Sequence, residues 1–344
     1  MPTITPGSTV LVTGGSGYIG AWVIKYLVER RYSVVAAVRN DEQGSFIVNR
    51  FPFYAGKVTY VNVPDISKDG AYDEAVSGVD AIIHIASPVI LSWTDPQEVI
   101  GPAVKGTTSI LNSAYKYGTK VKRVILTSSA AAVHHNDFRP SLKPGTFFDE
   151  TFWNTTAENA TIDKNIDAWT VYCRSKVDAE KAGFSFIKEK KPAFDLASVL
   201  PVWNWGPYIH KVIPGISIGS SPGILLGSFK KPDVSGATAG DWVDVRDCAL
   251  IHVLMLEVEA AGGERVGTTN GVFAWQDIFD ILRDSGYEAP GKDTYGAGAK
   301  KIIAQFSNAK TAKLFPDFKY RDVAQSVKEM SDQLFADRLL VAKA

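Results

Sequence analysis

The chain has 344 residues, enough to bury a large core in one big or two modest domains. Lys plus Arg and Asp plus Glu stand at 37 each, so overall charge favours neither nucleic acid nor an anionic membrane, and a small-molecule partner is expected. Cys173 and Cys248 lack metal-ligand spacing, no apolar run approaches the roughly 18 residues that cross a bilayer, and residues 1–6 show no leader pattern, so a cytoplasmic protein without a metal is expected.

The first half alternates short β-branched runs with helical patterns. Residues 10–13, 34–38, 58–63, 81–85 and 124–127 are apolar on both faces, as befits parallel strands covered by helices on either side. Helical stretches at 19–30, 43–51, 72–76 and 97–117 lie between them. This βαβ series predicts an α/β fold, a Rossmann-type doubly wound parallel sheet. A polar stretch, 136–163, delays the next helix, 167–190, which a strand at 194–200 follows.

After Pro201 the texture changes. Trp203, Trp205, Pro207, Pro214, Pro222 and several glycines between 206 and 240 predict a loop-rich region that shapes a pocket. Residues 242–245 and 246–257 read as a strand and helix that rejoin the main sheet, and helices at 275–284 and 323–339 belong to a smaller α/β lobe. The expected division is a dinucleotide-binding domain over 1–202, to which about 241–258 returns, and a substrate-binding lobe over 203–344.

The first strand runs into Thr13-Gly14-Gly15-Ser16-Gly17-Tyr18-Ile19-Gly20 and then a helix. In that context backbone amides and the helix N-terminus face a pyrophosphate, and glycine lets the backbone come close; the bland alternative is a flexible turn. Gly15, Gly17 and Gly20 fit one dinucleotide spacing, while Gly14, Gly17 and Gly20 fit a wider one. A NAD-specific site places an acid at the end of the second strand, where this chain has Ala37-Val38-Arg39-Asn40. A guanidinium matches a 2′-phosphate instead, so Arg39 makes NADPH the expected cofactor. Asp41 is the competing ribose ligand, which would admit NADH, if the strand ends one residue later.

Tyr172 and Lys176, four residues apart in a predicted helix, share one face. A phenol has a pKa of about 10, so a neighbouring cation favours the phenolate and makes the group useful for proton transfer.

With these motifs in order, the chain resembles the extended short-chain dehydrogenase/reductase superfamily. Within it, the resemblance is to the branch holding plant dihydroflavonol reductases and fungal NADPH-dependent aldehyde, methylglyoxal and ketone reductases. It runs through 13–20, 37–39, Asp65-Ile66, His84-Ile85-Ala86-Ser87-Pro88, 126–130, 172–176, Leu200-Pro201, Trp205-Gly206-Pro207 and 242–247. It implies that Ser129, with Ser128 as the alternative, orients the substrate carbonyl, that Tyr172 donates the proton, and that Lys176 holds the nicotinamide ribose. Implied cofactor contacts are Thr13, Gly14, Ser16, Gly17, Tyr18, Ile19 and Gly20 in the loop, and Arg39 on the 2′-phosphate. Asp65 and Ile66 would lie around adenine, Ala86 near the ribose, Ser128 beside Ser129, Pro201, Trp203 and Asn204 near the nicotinamide, and Ser217 on a phosphate. Ser87, Ala131, Trp169 and Trp203 are the expected pocket residues. The plant enzymes carry a polar residue just after the fifth strand, where this chain has Ala131, Ala132 and Val133; an apolar or aromatic carbonyl is therefore expected rather than a flavonoid.

Several residues have blander readings. His84 lies in an apolar strand as a satisfied core residue, and His134, His135 and His210 lack a carboxylate at metal spacing. Asp247 is expected to cap a helix starting at Cys248. The competing functions are a sugar-nucleotide epimerase or dehydratase on the same fold and a non-catalytic NADP-binding redox sensor. Both a monomer and a homodimer are compatible with the sequence.

Overall fold

The computed structural model describes residues 4–87, 93–134, 145–212, 220–230, 239–291 and 304–339. Its strands are β1 (Thr9–Thr13), β2 (Ser33–Val38), β3 (Val58–Asn62), β4 (Ala81–His84), β5 (Arg123–Thr127), β6 (Thr146–Phe148), β7 (Asp195–Pro201), β8 (Trp203–Trp205), β9 (Ala239–Asp244), β10 (Arg265–Thr268), β11 (Val272–Ala274) and β12 (Ala304–Phe306). Its helices are α1 (Tyr18–Glu29), α2 (Asp41–Asn49), α3 (Gln97–Tyr117), α4 (Thr155–Glu158), α5 (Ala168–Lys190), α6 (Ser220–Lys230), α7 (Val245–Glu257), α8 (Trp275–Asp284), α9 (Ala309–Leu314) and α10 (Val323–Ala336).

The runs that are apolar on both faces become neighbours in a seven-stranded sheet of order β10-β7-β5-β4-β1-β2-β3, parallel at every pairing. On one face Val10, Val12, Ile83, Ile125 and Val199 meet buried residues of α1 and α7, among them Ile24, Leu27 and Ile251. On the other, Leu11, Ile82, Val124 and Leu196 pack with Ile110 and Leu111 of α3 and Phe186 of α5. Covering both faces is what lets such strands dispense with alternating polar residues. Strand order reverses between β1 and β4, where Thr13 lies opposite His84 at the carboxyl ends. A ligand crevice belongs there in a doubly wound sheet.

Three departures from expectation have physical causes. Residues 72–76 close as turns rather than a helix, between Gly70 and Gly78, both at positive φ; so short a segment does not offset the cost of nucleation. The strand expected to rejoin the main sheet, here β9, instead pairs with β8 and β11 in a three-stranded sheet, because the position beside β7 is taken by β10. Arg265–Thr268 had no strand signal, since Arg-Val-Gly-Thr is neither a continuous apolar run nor an amphipathic alternation. Only α7 of the predicted pair returns, packing along α1.

The third departure is at the start of α7. Asp244, not Asp247, caps it, accepting a hydrogen bond from Arg246 N at 2.7 Å. Asp247 lies inside the first turn and accepts from Arg321 N at 2.7 Å while pairing with the Arg321 guanidinium. The rest of the lobe closes on an aromatic core of Trp205, Trp242, Phe273, Trp275 and Phe279 against α10.

Candidate active site

Gly14 sits at φ +68°, and a Cβ there would lie 2.9 Å from Ala86 N; one on Gly20 would lie 2.2 Å from Gly14 O. A Cβ on Gly15 would meet chiefly the flexible end of Ile24, so the backbone enforces the wider of the two spacings. Helix α1 then begins at Gly17 with no side-chain cap and no acidic residue in its first turn. By contrast α2, α5, α7 and α10 are capped by Asn40, Asp167, Asp244 and Asp322. An uncapped helix start behind a backbone that tolerates no side chain fits a pyrophosphate.

Thr13 serves this loop from beneath. Its hydroxyl accepts from Ile85 N and Ala86 N, both at 3.1 Å, and donates to His84 Nδ1 at 2.8 Å. His84 is thus the satisfied core residue expected, and burial, aided by the Lys176 charge, lowers its pKa to about 3. Tyr18 turns its hydroxyl to Gly206 O at 2.5 Å, fastening the lobe to the loop, while Ile19 packs against the core.

Arg39 follows β2, exposed, with no side-chain partner among the described residues. Asp41 is engaged elsewhere: it accepts from Asn62 Nδ2 at 2.6 Å and Tyr60 OH at 3.3 Å. The end of β2 therefore offers a cation and an already occupied carboxylate, which fits a 2′-phosphate better than two ribose hydroxyls. Gln43 Oε1 accepts from Arg39 N and from Ser16 Oγ, tying the two loops together. Asp65 accepts from Ser67 N and Oγ, which hold its carboxyl below the usual range, and Ile66 packs against Gly106.

The candidate catalytic groups lie beyond the carboxyl ends of β5 and β7. Ser129 is extended, and its Oγ accepts from Ala131 N at 3.1 Å, starting the short turn Ala130–Ala132. That hydroxyl also lies beside the Tyr172 phenol, where it favours the ionised form. Tyr172 and Lys176 lie on α5, and Lys176 Nζ is 5.8 Å from the Tyr172 ring centre. Burial raises the phenol, with the neighbouring Ser129 hydroxyl as the opposing influence; Lys176 is not among the causes. The lysine was expected to favour the phenolate, but at this separation burial wins and the phenol keeps its proton at neutral pH. Lys176 itself is lowered by burial to about 8 and remains an ammonium at neutrality.

Ser128 is committed elsewhere, donating to Glu180 Oε2 at 2.8 Å. Trp169 stacks on Tyr172 at 5.5 Å, and Ala131 packs with Cys173 and Ala157 beside them, so these two expected pocket residues do adjoin the phenol. Trp203 instead stacks on Trp205 in the aromatic core of the lobe. Pro201 offers its carbonyl to Ser129 at a long 3.5 Å. Asn204 donates to Val202 O at 2.8 Å, leaving its Oδ1 buried without a partner. Ala86 and Ser87 are half-buried after β4, and Ser217 lies outside the described residues. Glu180 and Arg265 escaped the sequence reading, although Glu180 continues the Tyr172–Lys176 stripe at the same four-residue interval.

The profile of the NAD-dependent epimerase/dehydratase family matches residues 10–267, well over half of the chain. The chain belongs to this family. A ketoreductase of Aspergillus niger is 35% identical over 80% of this chain and 81% of its own. A putative NADPH-dependent methylglyoxal reductase of Candida albicans is 31% identical over 96% and 99%. Among solved structures, yeast methylglyoxal/isovaleraldehyde reductase complexed with NADPH superposes with a TM-score of 0.83 at 29% identity, covering 96% of this chain and all of that one. The family and branch inferred from the motifs are those found. Among the described residues, no helix is long and apolar enough to cross a membrane, and no His, Cys, Asp and Glu cluster is suited to a metal ion.

Proposed function

We propose that this protein is an NADPH-dependent carbonyl reductase that converts an aldehyde or ketone to an alcohol, with Tyr172 as proton donor. The observation that carries the reading is the grouping of Ser129, Tyr172 and Lys176 at the carboxyl edge of the sheet alongside the glycine loop, with Lys176 Nζ 5.8 Å from the Tyr172 ring centre. Bound NADPH supplies the hydride.

The remaining tasks fall to the chain. Arg39 takes the 2′-phosphate, and the amides of Tyr18 and Ile19 face the pyrophosphate, the Gly17 amide being held by Gly14 O. Ser129 Oγ and Tyr172 OH converge on the carbonyl oxygen, where negative charge develops, and the phenol delivers its proton as that charge forms. A phenol held above its usual range by burial keeps that proton available across neutral pH. Lys176 stays cationic close by, where it can hold the ribose and offset charge left on the phenol. Residues 1–202 would carry the cofactor and the lobe from 203 onward would cover the substrate. The apolar surround of Ala131 and Trp169 favours an apolar or aromatic carbonyl. A sugar-nucleotide substrate needs cations in the lobe for its pyrophosphate, and residues 212–226 contain none.

The test is NADPH oxidation over a panel of aldehydes, diketones, bulky ketones and ketoesters, with NADH in parallel and Tyr172→Phe as control. Turnover with several carbonyls is expected, with a fall of about 10²–10⁴-fold in the variant and little change in NADPH binding. Near-wild-type turnover by Tyr172→Phe would sink the mechanism.

A further inference from the structure

Glu180 has no exposed surface, and each of its carboxylate oxygens receives two hydrogen bonds. Oε1 accepts from Ser198 Oγ at 2.5 Å and Arg265 Nε at 2.9 Å; Oε2 accepts from Ser128 Oγ at 2.8 Å and Arg265 Nη2 at 3.1 Å. One carboxylate thereby joins α5 to the end of β5, to β7 and to β10. Arg265 extends the network: Nη1 donates to Glu150 O at 2.6 Å and Phe152 O at 2.8 Å, and the guanidinium lies 3.7 Å over the Trp153 ring. An ionised, fully bonded side chain at this depth is costly to bury, and an apolar residue of similar size would hold helix to sheet equally well.

Its placement answers what the charge is for. Tyr172, Lys176 and Glu180 fall one turn apart along α5, and Ser128 precedes Ser129. Lys176 is buried and has no ion pair among the described residues; the carboxylate one turn away, itself paired with Arg265, is the group on α5 that favours its charge. Resting on the reductase reading above, we infer that Glu180 is a positioning residue for the reduction: it fixes Ser129 through Ser128 and keeps Lys176 in its ammonium form. The titratable or charged groups around Lys176 agree with that role. From α5 these are Tyr172, which keeps its proton, and Glu180; from β4, His84, which burial keeps neutral; from β10, Arg265, whose charge is matched by the same carboxylate. The buried face of α3 along α5 carries only apolar and hydroxyl-bearing residues. Burial alone pulls the Lys176 ammonium down, and Glu180 is the influence that opposes it.

The decisive measurement is the titration of Lys176 in the full-length protein, followed by NMR on ¹³C-labelled lysine, beside the alkaline limb of the pH profile of kcat/KM. Glu180→Gln is expected to move both to lower pH by about one unit. Because that change strands the Arg265 charge, a paired Glu180→Gln/Arg265→Gln variant removes both, and a smaller shift in the same direction is expected. Ser128→Ala keeps the anion and should lower kcat while leaving the Lys176 titration where it is. Glu180→Asp should restore part of the shift. If Lys176 titrates as in the wild type in either folded glutamine variant, the inference is overturned and Glu180 is mere scaffolding. The lysine titration does not depend on turnover, so this outcome is distinct from failure of the reductase reading, which Tyr172→Phe tests.

Discussion

Two buried arginine–carboxylate pairs stand in the same parallel sheet, at different heights along its strands. Arg123 and Asp195, facing each other at the first residues of β5 and β7, pair through Nε and Nη2 at 2.8 and 2.9 Å. The remaining Arg123 donors reach the carbonyls of Met255, Val258 and Glu259, fastening the end of α7 beneath the sheet. Arg265 is level with Ser198, three residues further along β7, and its partner Glu180 also accepts from Ser128, the neighbour of Ser129. Ligands in open α/β sheets bind beyond the carboxyl ends of the strands. On the inference above, nearly identical chemistry anchors the fold at the amino edge and serves the site from halfway up β7. Depth of burial does not separate the two roles; height along the strands does.

The largest expected effect lies at the carboxyl edge: Tyr172→Phe should lose about 10²–10⁴-fold in turnover while its urea midpoint stays near that of the wild type. Arg123→Met inverts that pattern. Leaving Asp195 buried without its partner should cost about 3–5 kcal/mol of stability by urea unfolding, with the kcat of folded enzyme and its alkaline limb unchanged. A shifted limb in Arg123→Met would break the distinction between the two edges. Arg39, a third arginine, exposed and unpaired among the described residues, should act on neither stability nor the proton step. Arg39→Glu is expected to weaken NADPH by roughly tenfold or more, and NADH far less, in direct binding titrations, since a charged hydrogen bond contributes about 1.5–3 kcal/mol; equal losses would remove its assignment to the 2′-phosphate.

A further contrast concerns acid. Burial lowers His84 to about 3 and His252 to about 4, and both follow or adjoin strand ends at the carboxyl edge. His252 donates from Nδ1 to Cys248 O at 2.7 Å and accepts from Thr127 Oγ1 at 2.9 Å, so its neutral form is fully used. With folded pKa values below the unfolded value, the unfolded chain binds more protons, and stability present above pH 6.5 is lost as pH falls toward 4. The urea midpoint should decline over that window, and the decline should be shallower in His252→Gln; an unchanged slope would show that acid does not act through this residue.

Much of this was legible in the chain. Five short β-branched runs between helical patterns announce parallel strands; four are covered on both faces, and β3, at the sheet edge, only in part. The glycine loop between strand and helix, Arg39 at the next strand end, and the four-residue stripe of α5 are local patterns, fixed by backbone sterics and helix periodicity, so sequence determined them. What it left open depends on residues far apart in the chain meeting. The loop could be read at two spacings until Ala86 packed against Gly14 and left no room for a Cβ. Ser128 and Ser129 were interchangeable until Glu180 claimed Ser128 and left Ser129 beside Tyr172. The strand at 239–244 left the main sheet because Arg265–Thr268 had already filled the place beside β7. Tertiary structure alone decided these matters, because they turn on which of several chemically equivalent partners reaches a buried group first in space, and no spacing along the chain encodes that.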